Sequence, residues 1–125
     1  MAATAAEQLL IELINRGRLD PGAEAVRMGI DLNAGLDPGT IQDHAMEVLA
    51  PNAALHDAAA GHSEWLIANE IFSHDGANGS DAGDRMADAG FAFAGSWAWG
   101  ENLSWVGNSG TINLNTAITT QYANL

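Results

Sequence analysis

Three places in this chain hold side chains that can do chemistry. His62 and His74 stand at the two ends of GHSEWLIANEIFSH (residues 61–74), each beside a serine. Neutral imidazole is the commonest metal ligand among side chains. Twelve residues apart, however, the pair does not fit HExxH, where both histidines share one helix face a turn apart. His62 falls on an apolar helical stripe, so a core histidine with hydrogen-bonded nitrogens is favoured over a ligand. His74 adjoins a glycine-rich loop, and both readings stay open there. That loop, SHDGANGSDAG, offers Asp75, Asn78 and Asp81, with Asp84 just beyond. A calcium loop needs donors at alternate positions and glycine at the sixth, whereas here alanine and glycine interrupt the alternation. A solvated turn with Asx hydrogen bonds is the better reading. Glu101, in SWAWGENLSW, is an acid set among tryptophans and glycines. Burying its carboxylate requires a cation, a histidine or several donors. A side-chain partner or the backbone amides of a tight turn would meet that need equally. No GxSxG elbow, P-loop or dinucleotide fingerprint accompanies these residues.

The elements that must position them are legible from caps and periodicity. Thr4 and Glu7 have capping-box spacing, and Leu9, Leu10, Leu13 and Ile14 recur on one face, which predicts a first helix stopped by Asp20-Pro21-Gly22. AEAVRMGI predicts a short second helix ending at Gly29, followed by a loop of turn residues over 31–40. LDPG occurs at 19–22 and 36–39, with flanks too different for a repeat architecture. Asn52 caps the longest predicted helix, whose inward stripe is Leu55, Ala58, Ala59, His62, Trp65 and Leu66. His56 and Glu64 lie toward its flanks. Asp81 or Asp84 caps DRMADAG, with Gly90 past its end. Phe91-Ala92-Phe93 and Trp97-Ala98-Trp99 read as short extended pieces around Gly95. NTAITTQYANL reads as the beginning of a helix. Trp97, Trp99 and Trp105 either pack in a core, the favoured use of such large rings, or line a contact surface.

With 125 residues, one domain with one hydrophobic core is expected. The hydrophobic fraction of 47% with 16% charged residues marks a globular chain rather than a disordered one. A net charge of −12, from sixteen acids against four arginines, argues against nucleic acid and anionic membrane as partners, because so little offsets phosphate. No apolar run is long enough to span a bilayer, and the alanine-rich start lacks the basic residues of a signal peptide. Without cysteine, neither disulfides nor thiolate metal sites are available, and the redox compartment stays open.

Taken in order, HSEWLIANEIFSHDG, GDRMADAGF and WGENLSW resemble the CAP superfamily (SCP domain; cysteine-rich secretory, antigen 5 and pathogenesis-related proteins), in its bacterial cysteine-free branch. LLIELINRGRLDPGAEA is similar to the first helix of that branch, so the resemblance covers nearly the whole chain. It implies an α+β fold, an α-β-α sandwich, with residues 1–125 forming a single CAP/SCP domain, mainly its helical N-terminal half with few or incomplete strands. The family's SxGHR-like helix and later strands would lie past Leu125, so the resemblance implies a domain lacking its C-terminal part. It places His74 and Glu101 as ligands in a cavity able to hold a divalent metal, zinc before calcium, with His62 supporting. The implied function is an exported extracellular binding module for a small ligand, lipid or peptide. A metal-dependent, peptidase-like hydrolase using the same cavity is the alternative. Export by type I secretion, with RTX-type repeats elsewhere in the full-length protein, is implied for the same branch.

Overall fold

Thr4 starts the first helix as the sequence requires: its Oγ accepts from the Glu7 amide at 3.3 Å, and the Glu7 carboxylate accepts from the Thr4 amide at 2.6 Å. The computed structural model describes residues 2–125. Helix α1 runs Ala5–Leu19 and α2 runs Pro21–Met28. Asp20 both ends α1 and caps α2, accepting from the Ala23 amide at 3.0 Å. The tripeptide expected only to stop a helix also begins one, because proline in the first turn gives up no intrahelical hydrogen bond. Helix α3, Ala53–Asn69, is capped by Asn52, and α4, Ala82–Asp88, by Asp81. Asp84 answers Asp81 in a reciprocal box, so both aspartates serve that helix end. Helix α5 covers Leu114–Ala123 from an Asn113 cap.

The internal packing divides the chain into two units. One takes in residues 4–50 and 106–124, with α1 against α2 and α5. Leu13 and Ala25 are its buried apolar residues, and the unit also buries an acid, Glu24, only 6% exposed. Arg16 binds both Glu24 oxygens at 2.9 and 2.7 Å, the Tyr122 hydroxyl donates at 2.8 Å, and Arg27 adds a further ion pair. A buried charge is tolerated only when paired and hydrogen-bonded in this way. The irregular stretch before α3 is tied to α1 by Asn15, which exchanges two hydrogen bonds with the Leu49 main chain.

The other unit contains residues 51–105, with α3 packed on α4. His62 and Leu66 of α3 and Ala82 of α4 are its buried residues. Of the stripe predicted for α3, His62 and Leu66 are buried, Leu55, Ala58 and Trp65 are half-buried and Ala59 is exposed.

The expected α-β-α sandwich is not what this chain forms. Helix accounts for 48% of the residues, and no strand occurs among the described ones. Phe91, Phe93 and Trp97 do not enter a ladder; they meet ring to ring, 5.0 Å between the phenylalanines and 4.6 Å from Phe93 to Trp97. Gly95, at φ 67°, turns the chain between them. A strand exists only through a neighbour that takes its backbone hydrogen bonds. Among the described residues, Ala92 to Asn102 make no main-chain to main-chain hydrogen bond.

Candidate functional site

Helix α4 and the loop before it organise the candidate site. Arg85, on the second turn of α4, is 12% exposed at its side chain and reaches three groups. Its Nη1 donates to the Ser80 carbonyl at 2.7 Å and to the His74 carbonyl at 3.1 Å, which closes the loop over the helix. Its Nη2 donates to Glu101 Oε2 at 2.6 Å. The other carboxylate oxygen, Oε1, lies 2.9 Å from His74 Nδ1. His74 and Glu101, 27 residues apart in sequence, therefore meet, and Arg85 completes the group.

Burial acts to raise the Glu101 carboxyl, but the hydrogen bonds from His74 and Arg85, with the Arg85 charge, outweigh it and hold the group below its ordinary value. An ionised carboxylate accepts only, so His74 Nδ1 carries the proton of that bond. In the neutral ring Nε2 is left with a lone pair, on a side chain 65% exposed. A carboxylate that fixes the tautomer in this way makes the imidazole a directed base or donor atom.

His62 works from beneath. Its Nε2 lies 3.0 Å from the carbonyl of Ser73 and must donate, which anchors the main chain one residue before His74. Its ring stacks on Trp65 with 6.0 Å between centroids. The histidine is 3% exposed, and its Nδ1 has no hydrogen-bond partner among the described residues. The main chain thus fixes one of its two nitrogens.

The oxygen donors of the loop do not converge. Asp81 and Asp84 are spent on the start of α4, and Asn78 sits at φ 57° in a 3-10 turn over Ala77–Gly79. Among the described residues no three of His, Asp or Glu gather as a metal cage. Zinc takes three or four protein ligands. Here the group offers one imidazole nitrogen and one carboxylate already paired with Arg85, fewer ligands than zinc takes. The donor set does not fit a resident zinc or calcium ion.

Beside this polar group lies a cleft of about 210 Å³. Leu55, Ala58, Ala59 and Met86 form its apolar wall, and Arg85 and Glu101 its polar end. Sequence reasoning missed Arg85 and this cleft, although the demand of Glu101 for a cation pointed to one of only four arginines. No protein-family model matches the chain, and no match is found among curated proteins or solved structures.

Proposed function

We propose that the chain is a binding module of the exported, CAP-like kind, and that it takes a small amphiphilic ligand without turning it over. One observation carries the reading: an apolar cleft between α3 and α4 ends on the Arg85–Glu101 ion pair. A short hydrocarbon tail gains roughly 0.8 kcal/mol per buried CH₂. The polar end supplies orientation, as a few placed polar groups do in apolar pockets. At that end the Glu101 carboxylate accepts a hydrogen bond from a hydroxyl or amide head. The order of motifs in the sequence supports the family reading and, with it, an extracellular setting with type I export alongside RTX-type repeats. A metal ion forms no part of the proposed ligand.

1-Hexanol is a suitable probe. Its titration should shift the methyl signals of Ala58, Ala59 and Met86 in a saturating manner. Ala59→Trp, which fills the cleft from a residue with an exposed surface, should abolish that response and leave the helical circular dichroism unchanged. Shifts scattered over the surface, or retained in Ala59→Trp, would sink the reading.

The carboxylate-oriented imidazole also favours a second reading, in which His74 acts as a general base for hydrolysis. Wild-type cleavage of a p-nitrophenyl ester that disappears in a folded His74→Ala variant would establish it. Equal rates in the two proteins would remove it.

A further inference from the structure

Residues 89–125 contain a single charged side chain, Glu101, so the rest of the −12 net charge lies before them. Glu101 is in turn neutralised locally by Arg85. Within this neutral stretch, Ser96-Trp97-Ala98-Trp99-Gly100 is nearly palindromic about Ala98. Trp97 and Trp99 are 57% and 42% exposed, and Trp105 further along is 68% exposed. The segment carries the alternation of a strand, yet among the described residues its backbone amides and carbonyls have no main-chain partner. From Trp97 onward to Trp105 the chain makes neither a turn nor a bend.

We infer that Ser96–Gly100 is a self-complementary edge, at which two copies of this chain pair antiparallel about a two-fold axis through Ala98. Each Trp97 then faces the Trp99 of the other copy. In an extended segment these two positions share a face, so four rings line one side of the pair. An unpaired, uncharged edge is a template for another strand, and a two-fold pairing closes instead of growing.

Two features select a second copy over another occupant. Two chains of charge −12 repel each other unless they meet through a neutral surface, and this segment supplies one. The near-palindrome also places like residues opposite one another only when the partner is identical. The area is of the right order. At up to about 250 Å² per ring, the exposed fractions of Trp97 and Trp99 leave roughly 250 Å² in water. That is about a third of the ~800 Å² one partner contributes to a standard interface, before the backbone edge is counted.

The test is sedimentation equilibrium of the full chain over a range of concentrations, with Ala98→Pro and Trp99→Pro beside the wild type. Proline removes a donor, and one of these two neighbouring amides must face the partner. Neither amide bonds to the main chain of its own copy. A wild-type dimer that becomes monomeric in at least one proline variant, with helical circular dichroism preserved, is the expected result. Hydrogen exchange of the wild type covers the case in which a proline variant misfolds. Alternate amides of 96–100 should gain protection as concentration rises. A monomer at all concentrations, a dimer that survives both prolines, open-ended polymers, or protection independent of concentration would overturn the pairing.

Discussion

Replacing Glu24 with glutamine tests whether the buried carboxylate holds α1, α2 and α5 together. Glu24 accepts two hydrogen bonds from Arg16 and one from Tyr122, and it pairs with Arg27 as well. The hydrogen bond from Arg16 holds its carboxyl below the usual range, burial works against this, and the bond from Tyr122 adds to the lowering. Breaking a fully buried ion pair costs about 3–5 kcal/mol. Here the side chains of Arg16 and Arg27 are 42% and 48% exposed, so water screens them and takes up part of the loss. Glutamine keeps the shape and one acceptor, which leaves an expected cost of roughly 2 kcal/mol at neutral pH. Because the folded-state pKa lies below the unfolded one, the wild-type contribution is fully present above the unfolded value. It fades as pH falls through the folded value. Urea melts followed by helical circular dichroism should therefore show wild type and Glu24→Gln well separated at neutral pH and converging in strong acid. A difference under about 0.5 kcal/mol at neutral pH, or one that does not shrink in acid, would refute the argument.

Other perturbations follow from single contacts. Arg85→Met should cost about 3 kcal/mol in a chemical melt, because it leaves Glu101 without its cation and the Ser80 and His74 carbonyls without their donor. Glu70 ends α3 in the left-handed region at φ 54°, so Glu70→Gly should raise stability by about 0.5–1 kcal/mol in the same melt; a loss would mean that the side chain itself matters there. At Gly83 an added Cβ would come within 2.7 Å of Trp99 Nε1, so Gly83→Ala should displace that indole, seen as a change in tryptophan emission with the helical signal kept. Unchanged emission would place the Trp99 ring elsewhere.

Helix ends were legible because capping is local. Thr4 with Glu7, Asn52, Asp81 with Asp84, Gly29 and Gly90 each announce a boundary within four residues of sequence. The opposite held at residues 91–99. Their alternation is that of a strand, but a strand depends on a distant partner, and the rings closed on one another instead. At the site, Glu101 advertised its need for a partner, and His74 was one of two histidines marked in advance. Arg85 supplied the cation from a helix read only for its caps. The Glu24 cluster was half visible: Arg27 stands three residues on, at helical spacing, whereas Tyr122 lies 98 residues away and nothing local foretells it.

The two packing units differ in their aromatic content. All four tryptophans fall between residues 51 and 105, whereas Tyr122, the one tyrosine, belongs with α1, α2 and α5. The chain thus carries a separate native optical reporter for each unit, with no label added. Excitation at the red edge of the absorption band sees only the unit that holds the candidate site, and the tyrosine ring resonances in a proton spectrum see only the other. Unfolding followed by both signals would reveal whether the two units melt in one transition or in succession.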